Sequence, residues 1–148
     1  MKLAKLSVIL FVTVLLISLF AVQAQAAESC ITTDVLADIL GAFNAMYETQ
    51  IGDNTSLYVT GIYGSILGLA DVFGAAGGVN YYFDGKVLEG TYVGGGLCYV
   101  GASAGSTSVG GVSVDARFGY KMAMSDSAIF DISYGLFDAL NLSFGVRL

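Results

Sequence analysis

Residues 112–148 alternate between apolar and polar or small side chains with a period of two. Val112, Val114, Ala116, Phe118 and Tyr120 are interleaved with Ser113, Asp115, Arg117, Gly119 and Lys121. Phe130, Ile132 and Tyr134 are interleaved with Asp131, Ser133 and Gly135, and Leu140, Leu142, Phe144, Val146 and Leu148 with Asn141, Ser143, Gly145 and Arg147. Successive side chains of a strand point to opposite faces, so this period predicts three β-strands with one apolar and one polar face. The alternation alone leaves open which face is buried.

The start of the chain bears on that question. Lys2 and Lys5 precede an apolar run from Leu6 to Val22, interrupted only by Ser7, Thr13 and Ser18, and Ala24-Gln25-Ala26 forms an A-x-A cleavage box. This is the pattern of a secretory signal peptide, so residues 1–27 are expected to be removed and 28–148 to form the fold. The alternative is an uncleaved anchor, for which the run is short against the roughly 20 residues of a spanning helix. Within 28–148 the basic residues are Lys86, Arg117, Lys121 and Arg147 against twelve acidic ones, a net charge of −8. That balance argues against nucleic acid and against anionic lipid as electrostatic partners. Yet 55 % of the chain is hydrophobic, only 12 % is charged, and the mean hydropathy is +0.74. A barrel in a membrane accommodates such a composition, because its apolar face is meant to be outside.

Earlier segments follow the same period. Strands are expected over Ala42–Ile51, Ser56–Gly64, Ala75–Phe83 and Glu89–Gly101. Short connections are expected at Gly52–Asn54, Asp84–Lys86 and Ala123–Asp126, and longer ones at Ser65–Gly74, Ala102–Ser108 and Leu136–Ala139. Short and long alternate, as inner turns and outer loops of a membrane barrel do. Seven strands are clear. Even strand numbers then call for one more before Ala42, which Ser29–Ala37 can supply, unless Val35–Leu40 forms a short helical turn. The fold class predicted is all-β: an antiparallel up-and-down transmembrane β-barrel of eight strands.

With these residues laid out, the chain resembles the small outer-membrane β-barrel proteins of bacteria. The resemblance rests on the signal peptide, the run Gly78-Val79-Asn80-Tyr81-Tyr82-Phe83-Asp84-Gly85-Lys86, the run Thr91-Tyr92-Val93-Gly94-Gly95-Gly96-Leu97 and the alternating final strand. It implies residence in the bacterial outer membrane, with the lipid bilayer and the barrel-assembly machinery as partners. The family usually ends in an aromatic residue, and Leu148 stands there instead. No feature of the sequence fixes an oligomeric state.

The chain has no histidine, which removes Ser-His and Cys-His nucleophilic arrangements. Cys30 and Cys98, without histidine, do not make a zinc site, and no cofactor is expected. Export permits a disulfide between them. Cys30 also raises lipidation, but Ala27-Glu28-Ser29 before it lacks the usual aliphatic residue. A carboxylate site drawn from Glu48, Asp115 and Asp131 is one way to use the acidic residues. The stronger one is structural. The lumen of an eight-stranded barrel is only wide enough to be filled by side chains, so inward charges must pair. Glu48, Asp115 and Asp131 are therefore expected to meet Arg117, Lys121 and Arg147 in a buried lumen network. Tyr47, Tyr63, Tyr81, Phe83, Tyr99, Tyr120 and Tyr134 fall near strand ends on the presumed outer face, as interfacial girdles do. The function expected is a non-enzymatic outer-membrane barrel with a filled lumen, no open pore, and a structural or surface-interaction role. The alternative is a secreted, soluble, lipocalin-like barrel that turns its apolar face inward around a hydrophobic ligand.

Overall fold

The computed structural model describes residues 28–136 and 139–148. The expected signal peptide lies outside the described residues, as do Phe137 and Asp138 of the connection expected at Leu136–Ala139. Eight antiparallel strands close a barrel in chain order: β1 Ser29–Asp34, β2 Ala42–Gln50, β3 Thr55–Ile66, β4 Ala70–Tyr82, β5 Gly90–Ala104, β6 Thr107–Ala123, β7 Ala128–Gly135 and β8 Ala139–Arg147. Each strand pairs with the next, and β8 closes on β1, with Cys30 opposite Arg147 and Asp34 opposite Ser143. The fold class is the one the alternation predicts.

The first strand is shorter than expected. It ends at Asp34 rather than Ala37, because the Asp34 carboxylate accepts from the Leu36 N–H at 2.9 Å and starts a one-turn helix, α1 (Val35–Ile39). This is an N-cap in the usual sense, with the side chain taking an orphan donor. The barrel still closes with eight strands.

The connections also differ from expectation. Ser65–Gly74 and Ala102–Ser108 are not loops. β3 runs to Ile66 and β4 starts at Ala70, while β5 and β6 are joined through Gly105 and Ser106 alone. Gly68 and Gly105 carry the positive φ (70° and 60°) that such tight reversals require. The alternation of short and long connections is therefore absent, and the extra residues lengthen the hairpins instead. The result is a tall wall, β3 to β6, beside a low wall, β7, β8 and β1. The Asp84–Lys86 turn is, conversely, longer than expected. It spans residues 83–89 and folds back, so that Val87 and Leu88 are buried against Cys30, Tyr82, Tyr92 and Ile129. This cluster packs at the end of the barrel where both described termini lie. Both cysteines are free, and Cys98 sits on the far side of the barrel between Ala76 and Ser113.

The barrel is polar inside and apolar outside. Phe43, Tyr63 and Val112 are 62 %, 76 % and 73 % exposed, while Glu48, Asp115 and Lys121 are fully buried. Phe118, Tyr134 and Phe144 likewise face outward. Large inward side chains fit because glycines stand opposite them. Gly78 and Gly96 face each other across β4 and β5, and a Cβ on either would come within 2.6–2.7 Å of the other's Cα. Tyr58, opposite Gly78, reaches across this smooth floor to bond Asp115, opposite Gly96. Tyr92 lies opposite Gly119, where a Cβ would meet both its hydroxyl and the Ser133 Cβ at 2.7 Å. Arg117 lies opposite Gly94, where a Cβ would meet its Cγ at 2.7 Å.

Gly119→Ala is expected to lower stability by about 1–3 kcal/mol, because neither Tyr92 nor the Ser133 backbone can retreat. Gly61→Ala, whose methyl points outward and meets only the Gly74 carbonyl at 3.8 Å, is expected to stay within about 0.5 kcal/mol. Urea unfolding of the two variants in the same detergent checks both.

Candidate functional site

Among the described residues, chemically distinctive side chains concentrate in the lumen of the half nearer the termini. It is built by inward positions of six strands. Lys121 on β6 is its centre. The ammonium bonds the Glu48 carboxylate of β2 and lies 3.7 Å from Asp131 of β7, all three being buried. Glu48 also accepts from Ser56 Oγ, from Asn80 Nδ2 at 2.8 Å and from the Tyr82 hydroxyl at 2.7 Å. Asp131 accepts from the Tyr92 hydroxyl at 3.0 Å, and Lys121 Nζ lies 5.5 Å from the centre of the Tyr92 ring. A second cluster stands next to the first. Arg117 bonds Asp115 at 2.7 Å, both buried, and its guanidinium carbon sits 4.1 Å above the Tyr58 ring. The Tyr58 hydroxyl completes the cluster, donating to Asp115 at 2.6 Å.

Five of the six expected lumen residues are thus brought together: Glu48, Lys121 and Asp131 in one cluster, Asp115 and Arg117 in the other. Arg147 is not among them. It is the last inward residue of β8, beyond the level of Asp131, and its guanidinium turns to the rim to bond Glu28 at 3.2 Å and Glu89 at 2.9 Å. There it clasps the chain start and the folded-back 83–89 turn. A hydrogen bond from Lys86, and then one from Arg147, holds the Glu89 carboxyl below its ordinary value of 4.5.

The expectation missed Ser56, Tyr58, Asn80, Tyr82 and Tyr92, which supply most of the neutral donors. The signal was present: Tyr58, Asn80, Tyr82 and Tyr92 alternate with Val59, Val79, Tyr81 and Val93, which face outward on the same strands. The expected girdle of Tyr47, Tyr63, Tyr81, Phe83, Tyr99, Tyr120 and Tyr134 leaves out Tyr58, Tyr82 and Tyr92, and these three belong to the interior.

Chemically the site is a set of buried, mutually paired charges. Carboxylates that act as acids or bases need access to substrate and a free oxygen aimed at it. Here Glu48 is surrounded by four donors, and the Arg117 and Asp115 pair is covered by an aromatic ring. The arrangement does what a core does.

No protein-family model matches the chain, and no curated protein matches it in sequence. Among solved structures the barrel is similar to the N-terminal β-barrel domain of Pseudomonas aeruginosa OprF, with a TM-score of 0.55 at 15 % identity, covering 82 % of this chain and 97 % of that one. It is similar to the Yersinia pestis outer membrane protein Ail in a phospholipid bilayer nanodisc, with a TM-score of 0.52 at 18 % identity over 82 % and 99 % of the two chains. Ail, the attachment invasion locus protein, also matches in its complex with the heparin analogue sucrose octasulfate, at TM-score 0.51 and 15 % identity over the same shares. Neisserial surface protein A matches at TM-score 0.50 and 16 % identity over 82 % and 93 %. At these identities the likeness is one of fold. The fold is that of the small eight-stranded outer-membrane barrels.

Lys121→Met and Arg117→Ala are each expected to destabilise by about 3–5 kcal/mol, because each leaves a buried carboxylate uncompensated. Lys86→Met, at an exposed pair, is expected to change stability by under about 1 kcal/mol. Unfolding midpoints in detergent check the contrast. Glu89 supplies a pH dependence. Its folded pKa is depressed, so the clasp adds stability above the ordinary carboxylate range and loses it as pH falls through the folded value. Wild type is expected to be more stable than Glu89→Gln at neutral pH, with the gap closing in acid.

Proposed function

We propose that residues 28–148 form a non-enzymatic barrel of the bacterial outer membrane, exported by the segment 1–27 and presenting its tall wall outside the cell. The observation that carries this reading is the inverted polarity. A band of Phe43, Val59, Tyr63, Val79, Phe118 and Tyr134 faces outward, and ion pairs fill the interior. In water such a protein would expose its apolar half and bury its charges; in a bilayer both placements are favourable. The soluble lipocalin-like alternative requires an apolar interior, and the lumen holds the opposite. The TM-scores of the OprF domain, Ail and Neisserial surface protein A support the same placement.

Orientation follows from topology. An even strand number puts both termini at one end, which in such barrels is the periplasmic one. The β3 to β6 hairpins then stand at the outer surface. The folded-back 83–89 turn and the buried ion pairs of the lumen support a closed barrel rather than a pore. A surface-interaction role suits the tall wall. The heparin analogue bound by Ail is not a model for a ligand here, because among the described residues the outer end carries no cation. Arg117 and Lys121 are buried, while Lys86 and Arg147 sit at the terminal end.

The protein is expected in the membrane fraction, with an N-terminus at Glu28 and a heat-modifiable mobility on detergent gels. Planar bilayers containing it are expected to show no conductance steps. Recovery from the periplasm without detergent would overturn the membrane reading, and steady single-channel openings the closed lumen.

A further inference from the structure

The ladder between β5 and β6 stops short at the terminal end of the barrel. β5 begins at Gly90, opposite Lys121, while β6 runs on to Met122 and Ala123, which pair with Phe130 and Ile129 of β7. Continuing the β5–β6 register would set Leu88 opposite Ala123. Leu88 instead turns into the lumen and is fully buried, at a φ of 64° that a residue with a side chain adopts reluctantly. Gly90, at a φ of 91°, starts the same departure from the wall. Burying Val87 and Leu88 thus takes a strand partner away from the last two residues of β6.

A strand residue points its N–H and C=O to one side, and that side alternates along the chain. The Ala116 carbonyl accepts from the Leu136 N–H on the β7 side, so Ala123, at the opposite parity, points its N–H towards the β5 side. Among the described residues, no backbone group of the 83–89 turn bonds to it. A cavity of about 390 Å³ lies there. Tyr120 and Met122 border it with outward side chains, and Asp84, Lys86 and Glu89 with charged ones. Asp84 is held in place. Its Oδ2 accepts from the Thr91 N–H at 2.9 Å, and it lies so close to Gly90 that a Cβ there would collide with it. The other Asp84 oxygen remains as an acceptor, and Lys86, bonded to Glu89, keeps further N–H donors. Tyr81 and Phe83, whose rings meet edge to face at 5.7 Å, and Tyr120 face outward at this end. Such aromatics sit at the height of lipid head groups.

We propose that this pocket binds the head group of a phospholipid that carries both a phosphate and a primary amine, in the leaflet facing the periplasm. The proposal rests on the outer-membrane reading and gives that reading a lipid partner. Lys86 and the Ala123 N–H donate to the phosphate, and the ammonium donates to Asp84. The acyl chains continue along the apolar outer face past Tyr120 and Phe118. Charge selects the head group. Two carboxylates border the pocket against one ammonium, so a head group of net negative charge is disfavoured. A quaternary amine has no N–H to give to Asp84.

The test takes the full barrel, in a detergent that preserves its heat-modifiable mobility, through native mass spectrometry. Equal amounts of phosphatidylethanolamine, phosphatidylcholine and phosphatidylglycerol with the same chains are added. Wild type is expected to retain phosphatidylethanolamine over each of the others by about threefold or more, the worth of one charged contact near the surface. Asp84→Asn keeps an acceptor for Thr91 and loses the charge, and is expected to bring the ethanolamine-to-choline ratio close to one. Lys86→Met is expected to weaken both of these lipids alike. Asp38→Asn, in α1 at the other end of the barrel, is expected to change nothing. Phosphoethanolamine without chains is expected not to compete. Equal retention of the three lipids by wild type, or a preference for phosphatidylglycerol, would overturn the site. So would a preference that survives Asp84→Asn, or retention that Lys86→Met leaves unaltered. Competition by phosphoethanolamine would make the ligand a soluble one and overturn the choice of a lipid. A wild type without heat-modifiable mobility would instead overturn the membrane reading. If Asp84→Asn alone loses that mobility, the Lys86→Met measurement decides.

Discussion

A lysine ammonium shut away from water governs the interior of this barrel. Lys121 is fully buried, and an unpaired charge in such a place costs several kcal/mol. Glu48 and Asp131, from strands on either side of the lumen, supply the compensation. Each carboxylate then needs donors for its remaining lone pairs, and Ser56, Asn80, Tyr82 and Tyr92 provide them. The network ties β2, β3, β4, β5, β6 and β7 together at one level. Because its members come from six strands, the register of those strands is coupled to one charge.

Filling the lumen with side chains this large needs room on the wall behind them. Glycines opposite Tyr58, Tyr92 and Arg117 provide it, and each would clash if it carried even a methyl group. Glycine weakens an exposed strand in water. Inside a closed barrel the loss is offset, because Tyr58 and Tyr92 pass over the bare backbone to reach Asp115 and Asp131, and the stem of Arg117 packs over Gly94. The many glycines of the chain are thus partly the counterpart of its inward tyrosines.

The two ends of the barrel differ for related reasons. At the terminal end Arg147 and Lys86 converge on Glu89, and Val87 and Leu88 seal the mouth. At the other end the wall is uneven, since β7 stops at Gly135 while β6 continues upward by some ten residues.

Much of this was legible in the sequence. The period of two in 112–148, the inward parity of Asp115, Arg117, Lys121 and Asp131, and the apolar composition fix an all-β barrel with its charges inside, because alternation is a local property of each strand. Turn geometry and side-chain reach are not local. Asp34 capping a helical turn cut β1 short, Gly68 and Gly105 turned two expected loops into hairpins, and the position of Arg147 at the last inward step of β8 took it to the rim. Likewise Tyr58, Tyr82 and Tyr92 carry the same side chain as the girdle tyrosines. The sequence by itself determined which face of each strand is apolar. Only the closed tertiary structure decided which polar groups meet and which edge is left unpaired, because both depend on register between strands distant in the chain.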